Sequence, residues 1–155
     1  MRQLKEWRRE QGSLAWLIPV RQEEWNSIKE RLLYGVYRGH RAVGRMSKGD
    51  VLIFYVTRTR GRDLGGKVVG VYEAASDWFE DGEPIFPGEE KGKPIYPIRI
   101  KLKPIKVGAV DLWRLIPRLS FVRFKDNPSR YLMGTPANAN RPIPKRDLHL
   151  ILSAM

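Results

Sequence analysis

The run Gly49-Asp50-Val51-Leu52-Ile53-Phe54-Tyr55-Val56-Thr57 opens on a Gly-Asp turn and continues as six consecutive apolar residues rich in β-branched and aromatic side chains. A short apolar run bounded by turn signals reads as a strand buried on both faces. Ten residues on, Lys67-Val68-Val69-Gly70-Val71-Tyr72-Glu73-Ala74-Ala75 repeats the pattern. Between them Arg58 to Gly66 is polar, basic and glycine-rich, with Gly65-Gly66 supplying turn chemistry. Two hydrophobic strands joined by a basic hairpin loop are therefore expected at the centre of the domain.

The 155 residues suit one compact domain with a real core, and 42% apolar against 30% charged residues marks a globular chain. No apolar run approaches the roughly 20 residues of a membrane span, and no charged-then-apolar leader opens the chain. Cysteine is absent, which excludes disulfides, thiol chemistry and cysteine-bound zinc. His40 and His149 lack metal-ligand spacing. The expectation is a cytoplasmic protein with no metal, no cofactor and no membrane partner.

Charge is the most informative bulk quantity. The net is +12, and residues 73–90 carry seven acids (Glu73, Asp77, Glu80, Asp81, Glu83, Glu89, Glu90) with no Lys or Arg, leaving +19 on the remainder. Such a field attracts a polyanion and speeds the encounter with it, and nucleic acid is the commonest such partner. A thermophile's ion-pair-rich surface raises Lys and Glu together and does not account for the imbalance.

Outward from the central pair, residues 1–12 read as a basic N-terminal extension, frayed except where Trp7 docks, and 13–155 as a single domain. Leu14 to Val20 is a first strand whose Pro19 belongs at an edge or a bulge. Arg21-Gln22-Glu23-Glu24 begins a helix with acids in its first turn, and Trp25, Ile28 and Leu32 give it one apolar face. Its stop is expected at Tyr34-Gly35. Ala42 to Met46 forms a single helical turn. Ser76 to Gly88 is a long loop holding Trp78, Phe79 and Phe86. Tyr96 to Lys103 alternates, with Ile98, Ile100 and Leu102 inward and Arg99, Lys101 and Lys103 as a cationic outer row. Asp111 caps a short helix limited by Pro117, Leu119 to Phe124 reads as another strand, and Pro144 starts a closing helix. Adjacent strand pairs predict an α+β fold: a mixed or antiparallel sheet curled into a barrel, with flanking helices.

Catalytic constellations are weak. His40 lies between Arg38 and Arg41 without a triad-type partner in sequence and reads as a solvated loop residue; His149 reads as a surface or packing residue. The acids of 73–90 are not at EF-hand spacing and read as solvated. The glycines around Gly61 fit neither GxGxxG nor a P-loop. Basic residues interleaved with aromatics remain: Tyr37 among Arg38, His40 and Arg41; Trp78, Phe79 and Phe86 in the long loop; Tyr131 between Arg130 and Met133. Aromatic faces stack on bases while Arg and Lys hold phosphates, and a cavity lined by such rings takes one extruded base.

Trp16-Leu17-Ile18, Trp25, Tyr34-Gly35-Val36, Arg45-Met46-Ser47-Lys48-Gly49-Asp50, Phe54-Tyr55, Val69 to Ser76 and Tyr96 to Lys101 occur in the order of the EVE domain family. The chain resembles that family, within the PUA-like superfamily that also holds YTH and ASCH domains, over most of residues 13–152. It most resembles the small archaeal stand-alone members. The resemblance implies a PUA-like barrel and a pocket for a base of DNA or RNA, often a modified one. By likeness to YTH relatives, Tyr37 is one wall, Trp78 or Phe86 the other, and Val20-Arg21-Gln22 the polar contacts. Met133 is added from its neighbourhood, and Arg38, Arg41, Arg58, Arg60, Arg62, Arg123, Lys125 and Arg130 are expected along the nucleic-acid backbone. Tyrosine stands where YTH domains carry tryptophan, and no asparagine ends strand one, so a methyladenine preference is not carried over. The alternative is an ASCH-like hydrolase of a modified nucleoside, with Lys48, Thr57 and Glu73 as its nearest candidates.

Overall fold

The computed structural model describes residues 4–58, 63–132 and 141–155. In chain order these form α1 (Leu4–Gln11), β1 (Ala15–Val20), α2 (Gln22–Arg31), β2 (Leu33–Val36), a 3-10 turn (Arg41–Gly44), β3 (Val51–Val56), β4 (Lys67–Ala74) and β5 (Phe79–Glu80). The long β6 (Ile98–Asp111), α3 (Leu112–Leu115), a second 3-10 turn (Ile116–Arg118), α4 (Ser129–Leu132) and α5 (Lys145–Ala154) follow.

The sheet runs β1-β3-β4-β6-β2, with β5 added on β6. β1 and β3 are parallel and every other pairing is antiparallel, so the sheet is mixed and curls into a half-barrel. Pro19 sits in β1, which ends the sheet order, where a missing donor costs least. Bulges in β4 and β6 supply the curl, and Gly70 lies at one of them. A Cβ on Gly70 would stand 2.8 Å from the Trp25 ring and 2.6 Å from Tyr72, so glycine is required for α2 to settle on the sheet.

The two apolar strands are buried on both sides, as their composition demands. Trp16, Ile18, Val20, Leu52, Phe54, Val69 and Tyr72 face α2 and β2, where Trp25, Phe54 and Tyr72 meet edge-on or tilted. Ala15, Leu17, Ile53, Tyr55, Val68 and Val71 face α3 and α5. The alternation along each strand thus feeds two separate cores.

Four sequence expectations are corrected. Residues 4–11 are helical, not frayed: Trp7 packs on the first core, and Arg8 places both terminal nitrogens on the buried Asp50 carboxylate, at 2.8 and 2.6 Å. The α2 helix ends earlier than Gly35 because Leu32 itself takes the left-handed turn (φ 54°), freeing Leu33–Val36 to pair with β6. Leu119 to Phe124 is no strand. Leu119 and Val122 are buried, but Asp147 of α5 holds the segment in a loop by accepting from the Ser120 and Phe121 amides and the Ser120 hydroxyl.

Arg99 is the fourth. Lys101 and Lys103 are exposed, whereas Arg99 is wholly buried beneath the Phe86 ring. It donates to the Tyr96 and Glu83 carbonyls and pairs with Glu89 at 3.1 Å. The loop between β5 and β6 folds back over what alternation alone assigns to solvent.

Candidate functional site

The sites proposed from sequence depend on how this returning loop is held. The Glu89 carboxylate accepts four amides, Ile85 and Phe86 on one oxygen and Ile95 and Tyr96 on the other, besides pairing with Arg99. Burial alone would raise its pKa; the amides and Arg99 outweigh that and hold it below the ordinary 4.5. Glu89 is therefore a buried organiser, which corrects the reading of residues 73–90 as simply solvated acids. Two others are also engaged: Glu80 pairs with Arg38, and Asp81 lies 3.6 Å from Arg99.

The loop so organised carries Phe86 and Tyr96, whose rings meet edge-to-face at 5.7 Å. Phe86 is only 6% exposed. It lies where a Gly35 side chain would stand, since a Cβ there would come 2.6 Å from the ring. Tyr37 directly follows the last residue of β2, and like Tyr96 it lies close enough to Tyr34 to raise that residue's pKa. Tyr37 is 56% exposed, and its ring meets His40 edge-on at 4.8 Å.

His40 is not a free loop residue. Its Nδ1 accepts the Ala42 amide and caps the Arg41–Gly44 turn, which requires the neutral ring. Burial, then the neighbouring Arg41, lowers its pKa. The histidine thus fixes the backbone that presents Tyr37.

The end of β1 meets this group. Arg21 bonds Glu24 through Nε at 2.9 Å and also reaches the Tyr96 hydroxyl. Tyr34 completes the set: burial and then the nearby Glu24, Tyr96 and Tyr37 push its phenol well above the ordinary value. Burial and Glu24 raise Tyr96 as well, while Arg21 opposes them. Tyr34, Tyr96 and Glu24 were not among the candidates from sequence, because their apolar or first-turn positions read as scaffold. The spacing of Tyr34 and Tyr37 around Gly35 was the available signal.

The remaining candidates divide. Val20 is core, and Gln22 accepts the Leu64 amide, tying α2 to the loop before β4. Trp78 is partly buried, packs 6.3 Å from Tyr34 and donates its indole N–H to the Met46 carbonyl. Of the proposed rings Tyr37 alone offers a broad face to solvent; Trp78 packs on Tyr34, and Phe86 on Tyr96 and Arg99.

The expected backbone contacts do not form one track. Arg38 lies beside Glu80 near the Tyr37 rim, and Arg41 opens the turn that His40 caps. Arg58 stacks on Trp113 at 4.3 Å, on the side of the second core. Lys125 is exposed, yet its ammonium donates to the Ile116 and Leu119 carbonyls. Arg130 lies against Phe124 and Tyr131, and Arg123 is exposed. Arg60, Arg62 and Met133 lie outside the described residues.

The hydrolase candidates do not converge. Glu73 pairs with Val51 at the start of β3, three residues after Lys48, whereas Thr57 follows the far end of that strand. Six residues of strand separate the two ends by about 20 Å. Among the described residues no group of three His, Asp or Glu is placed to hold a metal, and no helix is long and apolar enough to cross a membrane.

Comparison with known proteins gives a consistent result. The EVE domain model matches residues 14–154. A UPF0310 protein of Saccharolobus solfataricus is 33% identical over 137 residues, covering 88% of this chain and 91% of the relative. A UPF0310 protein of Pyrococcus abyssi is 38% identical over 147 residues, covering 90% and 98%. Among solved structures, the Pho92 YTH domain in complex with m6A is similar with a TM-score of 0.57 at 17% identity, over 92% of this chain and 86% of that one. The YTH domain of Zygosaccharomyces rouxii MRB1 in complex with N6-methyladenosine RNA gives 0.56 at 18%, with the same coverage. At these identities the likeness to YTH domains establishes a shared fold.

Proposed function

The chain belongs to the EVE domain family, and on that premise we propose that it is a non-catalytic reader that holds one base of a nucleic acid, a modified one, against the Tyr37 ring. One observation carries this reading. An exposed aromatic face stands beside a histidine-capped turn just past β2, and the Tyr34 it neighbours is also neighboured by Tyr96, which meets Phe86 and Arg21. An aromatic ring left in solvent near arginine suits a planar base attached to phosphate. The net charge of +12 supports a polyanionic partner. YTH domains of the same fold solved with methylated RNA lend further support.

In this reading the ring supplies stacking and Arg21 with the Tyr96 hydroxyl supplies polar contacts to the base edge. Arg38, released from Glu80, would follow the adjacent phosphate. Of the hydrolase candidates, Lys48 and Glu73 lie at one end of β3 and Thr57 at the other.

The test is a binding screen of oligonucleotides, RNA and DNA, each bearing one modified base, with the free nucleosides alongside. At least one modification is expected to bind tenfold or more above its unmodified control. Tyr37→Ala should then cost about 1–3 kcal/mol of affinity, the value of one base–aromatic stack, without unfolding the protein. Equal affinity for every base together with indifference to Tyr37→Ala would refute the proposal.

A further inference from the structure

The basic side chains on the side of the second core are the largest feature that the Tyr37 rim does not use. Residues 112–155 hold eight Lys or Arg against two acids, Asp126 and Asp147. Asp147 is buried, and both its oxygens accept from Ser120 and Phe121, so among the described residues it forms no ion pair with these cations.

On α5, Arg146, His149, Leu150 and Ser153 recur at i, i+3, i+4 and i+7 and form one outward stripe. Arg118, from the turn that Lys125 braces through the Ile116 and Leu119 carbonyls, faces this stripe across an open groove of about 280 Å³. Among the described residues neither Arg118 nor Arg146 has an acidic partner. Arg146 also stands in the first turn of a ten-residue helix that has no side-chain cap, where the helix dipole opposes a cation. Two guanidinium groups lining one groove without an ion-pair partner repel each other, and one stands at the positive end of a helix whose first-turn acid, Asp147, is committed to Ser120 and Phe121. An anion seated between them reverses both terms.

We propose that this groove is a phosphodiester-binding subsite for a nucleic-acid strand, separate from the Tyr37 rim. Arg118 and Arg146 present planar forks that match phosphate oxygens, and Ser153 and His149 add donors along the same stripe. The aliphatic Leu150 between them gives the sugar an apolar surface. The inference rests on the nucleic-acid reading above, but not on base recognition at the rim.

The experiment measures, by fluorescence anisotropy over a range of salt, the binding of a long single-stranded oligonucleotide and of a short one that fills only the rim. The Arg118→Ala/Arg146→Ala variant should bind the long strand about tenfold more weakly, with a log–log salt slope smaller by about 0.7 for each phosphate no longer neutralised. The short strand should bind it as it binds the parent. Arg118→Lys/Arg146→Lys should recover the slope but only part of the affinity, because lysine keeps the charge and loses the fork. Unchanged long-strand affinity and slope in the alanine variant would overturn the subsite. Saturable binding of inorganic phosphate alone at micromolar concentration, abolished in the alanine variant, would make it a free-anion site and also overturn the assignment. Failure of Tyr37→Ala to weaken the short strand strikes the rim and leaves the groove standing.

Discussion

Asp50 and Tyr37 lie thirteen residues apart, and the molecule treats them in opposite ways. Around Asp50 every polar demand is met from within: two Arg8 nitrogens, the Leu14 and Ser47 amides and the Trp16 indole N–H all donate to one buried carboxylate. Around Tyr37 a histidine caps the adjoining turn and meets the ring edge-on, yet the ring is left in solvent. The first arrangement secures a fold and has nothing left to bind. The second is organised to the same degree and stays open. That contrast, more than the count of aromatics or arginines, separates a structural motif from a candidate site.

The contrast is broken most severely at its closed end. Asp50→Ala takes the carboxylate from Arg8, which keeps only the Arg45 carbonyl, and leaves the Leu14 and Ser47 amides and the Trp16 indole N–H without that acceptor. Removing one partner of a buried, hydrogen-bonded ion pair costs about 3–5 kcal/mol, so denaturant unfolding should shift by about 3 kcal/mol, or the chain should fail to fold. A loss below about 1 kcal/mol would mean that α1 contributes little to the domain.

Gly35→Ala attacks the support of the open end. The new methyl would meet Phe86 at 2.6 Å and the Tyr96 carbonyl at 3.0 Å. Overpacking of this kind costs about 1–3 kcal/mol, and it should displace the Phe86–Tyr96 wall. Binding should fall even where the protein remains folded, read by titration of the preferred oligonucleotide. Retained affinity would detach Phe86 from the site.

Acid sharpens the comparison by loosening the rim in two stages. The folded-state pKa of His40 is lowered, so its neutral form contributes stability above the unfolded value of about 6.5, and this is lost as pH falls through the folded pKa. Glu89 is likewise lowered, and its contribution, present above 4.5, is lost as pH falls further. NMR should therefore show the Tyr37 ring signals moving first. The Phe86, Ile95 and Tyr96 amides should follow at lower pH. The reverse order would refute the assigned roles.

The smallest effect expected is at Leu32, the one non-glycine residue with positive φ among those described. Leu32→Gly relieves left-handed strain of about 1 kcal/mol, partly offset by greater freedom in the unfolded chain and the removal of a half-exposed side chain. A gain of about 0.5 kcal/mol in thermal or denaturant unfolding is expected, with binding unchanged.

The core was legible because it obeys local rules. Six apolar residues after Gly49-Asp50 have to be buried on both faces, and the alternation from Ile98 to Leu102 has to point inward. Contacts made across distance were not legible. Alternation sends Arg99 to solvent, and nothing local reveals that Glu89 returns over it. Asp147 denies Leu119–Phe124 its strand from 27 residues away. The α1 helix owes its place to Trp7 and to Arg8 on Asp50, both tertiary. Tyr37 was legible for a local reason, an aromatic among glycine and arginine, whereas Tyr34 and Tyr96 are half-buried and read as scaffold.

The most direct test of the central claim is residue-resolved NMR during titration with the preferred modified nucleoside, free of any phosphate backbone. Shifts should concentrate on Arg21, Tyr34, Tyr37 and Tyr96 and be abolished in Tyr37→Ala, with the Asp50 corner silent. Saturable binding whose shifts fall elsewhere, or persist without the Tyr37 ring, would contradict the central claim.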